Sequence, residues 1–357
     1  MMTINHAILH SFDFESGGTY FSDQELDRDN KQVKSYVQRT CRKCLGSAEN
    51  RHGEFAEGSG FAEEIRAYRK GELGFVELSV QIAQWFWEEL RRGEDLANAD
   101  LLVVDFEESA EAPKAGDDEE AADAAFDARP ERTFAIVLLP RRQSFVHELA
   151  GFEGHSINGI VRTDATLPSP TQKIDTYALV NLGDFGIAFH DKPRPIAGQD
   201  TLIVPDGLLQ CTTQASGKEA VQAVTRIVED VAQEYGLNTA ETVSRAKAAL
   251  ARDVQMAEQF EPEEIGREVF EDEPEMQRRY QERYEEAART ESLPEEVPMR
   301  RGAANSMAKK HKIRTDTGID ITFPSEYGHD SNYIAFSTDP DGHIQIVIRN
   351  VARIENR

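Results

Sequence analysis

The sequence predicts an α+β fold with mixed or antiparallel sheets, long amphipathic helices and a C-terminal β-hairpin unit. Three observations lead there. Residues 99–106 and 133–139 are runs of β-formers separated by a polar insertion instead of a helix. Residues 74–92 and 217–235 place apolar side chains at helical spacing. Asp339-Pro340-Asp341-Gly342 supplies turn formers between two short apolar stretches near the end of the chain.

Taken in order, residues 4–12 alternate well enough to read as a strand. Ser16-Gly17-Gly18 then turns the chain, and Thr19-Tyr20-Phe21 returns as a short second strand. Ser22 or Asp23 reads as an N-cap, with Glu25 early in a helix that runs toward Leu45 and carries Val33, Tyr36 and Val37 inward. Helices follow at 60–70 and 74–92. Phe75, Leu78, Ile82, Trp85, Phe86 and Leu90 form the core face of the second.

The strand pair at 99–106 and 133–139 encloses residues 108–130, rich in Ala, Gly, Asp and Glu with almost nothing to bury, which reads as an acidic flexible insertion in a hairpin. Strand-like runs return at 174–190 and 199–211, the latter including Thr201-Leu202-Ile203-Val204. Amphipathic helices are expected at about 217–235 and from Thr239 to about Gln259. Residues 261–290 look helical and highly charged, with Pro262 and Pro274 as starts or breaks. They read as an exposed arm or partner-facing helix that buries little, the ground for expecting a homo-oligomer. Strands at 319–323, 333–337 and 343–348 close the chain. The expected organisation is an N-terminal α+β domain over 1–210, then 211–357 with a helical region, a basic linker at 297–314 and the C-terminal β unit.

Charge bounds the function. The 357 residues carry a net charge of −25, yet that charge is concentrated. Residues 105–131 hold eleven acids against Lys114 and Arg129, and residues 252–296 hold sixteen acids against six arginines, leaving a balance of only −6 elsewhere. No apolar run approaches the roughly 20 residues of a membrane span, and residues 1–11 lack the features of a signal peptide. The expected location is therefore cytoplasmic, without a membrane partner. Three cysteines, Cys41, Cys44 and Cys211, fit a reducing compartment. Cys41 and Cys44, with His52 as a distant third ligand, fall short of the four ligands of a structural zinc site. They read as two thiols on one helix face, and no metal or cofactor is expected.

No phosphate-cradling glycine loop, nucleophile elbow or His-Glu-x-x-His signature is present, and the nine histidines are scattered, so no catalytic residue is assigned. The most informative charged segment is basic. Arg300, Arg301, Lys309, Lys310, Lys312 and Arg314 fall within fifteen residues that contain no acid. Small and polar residues between them suggest a flexible basic arm that either neutralises phosphates and releases counterions or lies as a linker against the acidic helices before it. Secondary candidates are Arg39, Arg42 and Lys43 on the first long helix and Arg141-Arg142 after a strand, the latter pair reading equally well as ordinary strand-end charges.

Several stretches together resemble the bacterial nucleoid-associated protein family. They are Ile4-Asn5-His6-Ala7-Ile8-Leu9-His10, Ser47-Ala48-Glu49-Asn50-Arg51-His52-Gly53-Glu54-Phe55, Leu179-Val180-Asn181-Leu182, and residues 319–348 including Phe323-Pro324-Ser325-Glu326. The similarity is diffuse and spans most of the chain. It implies association with the nucleoid, binding of double-stranded DNA and no established catalytic site to transfer. The low pI of about 4.8 and the acidic insertion set this chain apart from a typical DNA binder. Two other readings remain: an acidic protein-interaction module or phage-defence component that binds a basic protein, and a metal-dependent nuclease whose acids converge only in three dimensions.

Overall fold

A computed structural model describes residues 1–109, 130–152, 155–328, 330–339, 341 and 343–353. The fold is α+β, and the chain divides into two compact units. Met1–Leu45 with His52–Thr213 form the first, and Gly46–Arg51 with Gln214–Arg357 form the second.

The first unit is built on a sheet of order β2-β1-β4-β5-β8-β9-β3. Its strands are β1 (Met2–Asp13), β2 (Gly18–Tyr20), β3 (Arg51–Gly53), β4 (Ala99–Glu108), β5 (Glu131–Pro140), β8 (Tyr177–Asn181) and β9 (Ile187–His190). From β2 to β9, each neighbouring pair is antiparallel. Helices cover both faces. On one side α2 (Gly60–Lys70) and α3 (Phe75–Leu90) pack Phe61, Ile65, Leu78, Ile82 and Phe86 on Ile8, Leu101, Val103, Phe134 and Ile136. On the other, α1 (Lys31–Leu45) packs Val37, Cys41 and Cys44 with Leu102, Val104, Phe106, Ala135 and Val137. This double cover explains why β4 and β5 read as unbroken apolar runs: both side-chain sets of the pleat are buried. Each fully buried aliphatic or aromatic side chain contributes about 1.5–3 kcal/mol.

The expected hairpin is present, with β4 and β5 in register from Ala99↔Pro140 to Glu108↔Glu131. Residues 110–129 of the acidic insertion lie outside the described residues. β5 pairs directly with β8, so the intervening chain leaves the sheet as a ribbon of β6 (Arg142–Phe152) and β7 (His155–Thr166). A small hairpin of β10 (Arg194–Ile196) and β11 (Gln199–Thr201) follows. Two expectations change here. The first long helix begins at Lys31 and not near Ser22, because residues 22–26 are held along β1. The Ser22 hydroxyl donates to the Leu9 carbonyl at 2.5 Å, and the Leu26 amide donates to Ala7 at 2.8 Å. Asn30 then caps the helix, accepting from the Gln32 amide. The strand expected at 201–204 stops at Thr201. Val204–Leu209 form a π-helical turn, with the Val204 amide donating to Asp191 at 2.8 Å.

The second unit is a helical core with appended hairpins. α4 (Gly217–Glu234) starts in a capping box between Ser216 and Glu219, and α5 (Thr239–Ala257) is capped by Asn238. α6 (Pro262–Val269) and α7 (Pro274–Glu291) complete the core. The expectation that 261–290 buries little is overturned: Ile265, Val269, Phe270, Met276, Tyr280 and Tyr284 are all buried in it. These helices therefore give no ground for a homo-oligomer. The expected linker at 297–314 is also structured, as β13 (Val297–Pro298), which pairs with β12 (Gln259–Phe260), then α8 (Arg301–Met307) and β14 (Lys310–Arg314). Its small residues are there to pack, since Ala303, Ala304 and Ala308 insert into the helical core. β14 pairs with β15 (Asp320–Pro324), and β16 (Ile334–Thr338) pairs with β17 (Ile344–Ile348) as the turn residues at 339–342 implied.

Candidate nucleic-acid interface

Two basic surfaces emerge, one in each unit. In the first unit, Val37, Thr40, Cys41 and Cys44 turn α1 toward the sheet, and the Tyr36 hydroxyl, donating to the Pro168 carbonyl at 2.9 Å, pins its middle. That anchoring leaves Lys31, Lys34, Arg39, Arg42 and Lys43 exposed. All fifteen residues of the helix lack an acid, in a chain with 65 acids. None of the five side chains makes a hydrogen bond or ion pair with a described residue. Lys34 shares a shallow hollow with Glu25, Asp27 and Asp29, so the cleanest positive surface is the C-terminal half. There Arg39, Arg42 and Lys43 sit at i, i+3 and i+4 on one face. Arg42 and Lys43 also complement the negative end of the helix dipole.

In the second unit, strand alternation sorts the basic segment. Lys310, Lys312 and Arg314 point to solvent, while His311 is buried against Phe323, ring centroids 5.4 Å apart. Side chains two apart along a strand are about 6.7 Å from each other, which makes a regular row of three charges. Asp320 partly neutralises the row, lying 3.8 Å from Lys312 and 3.9 Å from Arg314. Lys309 and Lys310 make no ion pair with a described residue. Arg300 and Arg301 stand apart at the head of α8, where Arg301 is 3.6 Å from Glu258. The structure thus divides the six sequence candidates into a strand row and a helix head, and places Arg39, Arg42 and Lys43 together on α1. Lys31 and Lys34 escaped the sequence reading. Their signal was the absence of any acid from 31 to 45.

Part of the charge of the helical core is paired within the unit. Arg279 reaches Glu234 at 3.1 Å, Arg283 bonds both Asp230 and Glu234, and Arg226 bonds Glu291. Arg252 pairs with Glu268. These pairs brace helices against each other, while Glu271, Asp272, Glu273 and Glu275 stay exposed to solvent.

Elsewhere the chemistry is structural. Burial pushes the Cys41 thiol up to about 12 and Cys44 well above its usual range, away from thiolate reactivity. Among the described residues, no group of three or more His, Cys, Asp or Glu is placed to hold a metal ion, and no helix is long and apolar enough to cross a membrane. The most developed polar network, missed in the sequence, is buried at one end of the β4–β5 hairpin. Arg132 clamps Asp105, whose carboxylate also accepts from the Tyr68 hydroxyl and from Asn5 at 3.1 Å.

A family model described as nucleoid-associated protein YejK (NA37) matches residues 8–356, nearly the whole chain. The chain belongs to that family. The match includes α1 and β14, so both basic surfaces lie inside the family's extent. A search of curated proteins finds no match. The YejK family is described by its nucleoid association and is not a known enzyme family, which carries the resemblance read from the sequence to a shown membership.

Proposed function

We propose that this member of the YejK family is a non-enzymatic protein of the cytoplasmic nucleoid that binds double-stranded DNA through phosphate contacts. The observation that carries the reading is α1: five exposed cations, no acid and no ion-pair partner among the described residues, on one helix of a chain with net charge −25. The row Lys310, Lys312, Arg314, with Lys309 beside it, supplies a second contact surface of the same chemistry. The acidic remainder repels phosphate, which confines contact to these surfaces and suppresses non-specific spreading. Both surfaces present chiefly cations, which meet the phosphate backbone, so contact is largely independent of sequence.

The test is fluorescence anisotropy with duplex DNA at about 50 and 200 mM salt, the range over which phosphate contacts lose most affinity. Wild type is compared with Arg39→Gln/Arg42→Gln/Lys43→Gln and with Lys309→Gln/Lys310→Gln/Lys312→Gln/Arg314→Gln. Each lost phosphate contact lowers the logarithmic salt slope by about 0.9. Loss of affinity and slope in either set supports the proposal. Absence of binding at low salt, or a slope that neither set changes, overturns it.

A further inference from the structure

The β6–β7 ribbon departs from everything else in the first unit. It runs through about ten rungs, from Arg142↔Thr166 to Phe152↔His155, and it pairs with no other strand among the described residues. Because β5 pairs directly with β8, the sheet is complete without it. An isolated two-stranded ribbon is marginally stable in water, yet this one exposes large apolar side chains on both faces. Phe145, Leu149 and Ile160 are 68%, 75% and 81% exposed on one face, and Val146 and Val161 are exposed on the other. Such a surface signals a partner.

Charge selects which partner. Residues 142–166 carry Arg142 and Arg162 against Glu148, Glu153 and Asp164, a balance of only −1 within a chain of −25. Its few, mixed charges suit neither DNA phosphates, which require a cluster of cations, nor a basic protein, which requires a cluster of acids. Two copies of this acidic chain repel wherever their like-charged surfaces meet, and the nearly neutral ribbon is where that repulsion is weakest. Its two unpaired strand edges also match the same edges of an identical ribbon around a two-fold axis.

We propose that the β6–β7 ribbon is a self-association arm, which pairs with the same ribbon of a second copy and buries Phe145, Leu149 and Ile160. A ribbon of this length is about 34 Å long and about 10 Å wide, so a single face presents roughly 340 Å². That is short of the roughly 800 Å² per partner of a stable interface. The pairing of two arms is therefore a weak, concentration-dependent contact.

The full chain is examined by sedimentation velocity across about 0.1–100 μM, since association follows mass action. The wild type is compared with Phe145→Glu/Leu149→Glu/Ile160→Glu, substitutions at exposed positions, and with an Ile160→Ala control. A wild-type dimer that the triple variant converts to a monomer, with unchanged circular dichroism, supports the proposal. It is further supported by association that does not weaken between about 50 and 200 mM salt, as expected where charge is not the driving term. Hydrogen exchange supplies an independent readout: ribbon amides slow with concentration in the wild type alone. A wild type that stays monomeric over the whole range overturns the proposal. So does a triple variant that remains dimeric, or a dimer whose ribbon amides gain no protection.

Discussion

Arg132 holds Asp105 through parallel hydrogen bonds, Nε to Oδ1 at 3.0 Å and Nη2 to Oδ2 at 2.6 Å. The two ends of this pair are not equivalent. Asp105 is completely buried, whereas the Arg132 side chain is 38% exposed and its guanidinium lies over the Tyr68 ring, 5.9 Å from its centroid.

That asymmetry predicts unequal costs. Arg132→Ala strands a carboxylate in the core with Tyr68 and Asn5 as its remaining partners, at a cost of about 3 kcal/mol. Asp105→Ala leaves Arg132 free to turn to water and orphans the Tyr68 hydroxyl, at about 1–2 kcal/mol. Urea unfolding of the two variants checks the order. Equal losses, or a larger loss for Asp105→Ala, contradict this account of the network.

Gly266 gives a prediction against local propensity. Alanine is the better helix former by about 1 kcal/mol, and Gly266 lies inside α6. A Cβ there would fall 2.1 Å from the ring of Tyr280 on α7. That ring has little room to yield, being buried with its hydroxyl donating to the Pro262 carbonyl at 2.7 Å. Gly266→Ala is therefore expected to lower stability by about 1–3 kcal/mol through overpacking, measured by urea denaturation. A stabilised variant would mean that α6 and α7 separate freely.

These cases show where the sequence is readable. Apolar period and turn chemistry are local, so the β4–β5 pair, α2 to α5 and the β16–β17 hairpin follow from the residues themselves. The start of α1 does not, because Ser22 and Leu26 form their hydrogen bonds with β1. Composition misled at 297–314, where Ala303 and Ala304 resemble linker residues and instead fit a tight helical core. Arg39, Arg42 and Lys43 were legible because they are neighbours in sequence. The Asp105–Arg132–Tyr68 network joins three distant segments, and no spacing rule brings them together.

Asp320 restrains the strand row, since it is the carboxylate within reach of both Lys312 and Arg314. Asp320→Asn removes this competition for the phosphate backbone without removing a cation. Duplex affinity should rise about 3- to 10-fold at about 50 mM salt, and the gain should shrink by about 200 mM as screening takes over. Stability should hardly change, because the ion pairs are exposed. Anisotropy titrations check the prediction, and an affinity that stays level removes the β14 face from the contact surface.

Acid sensitivity follows from two buried histidines. His10 accepts a hydrogen bond from the Ser22 amide at 3.1 Å, while His311 sits against Phe323 on the inner face of β14. Desolvation by burial pulls each down from 6.5 to about 4, and Lys247 adds repulsion at His311. Below about pH 6.5 the unfolded chain takes up protons that the folded chain refuses, so the neutral imidazoles contribute stability that is complete above that pH. That stability declines as pH falls and is gone below about pH 4. The full effect is about 3 kcal/mol per histidine. His311→Leu should reduce the acid-induced loss between about pH 7 and pH 4.5, and His10→Leu/His311→Leu should reduce it further, in urea unfolding followed at each pH. An undiminished loss in the double variant would assign the acid sensitivity to carboxylates, whose protonation removes ion pairs such as Arg283 with Asp230.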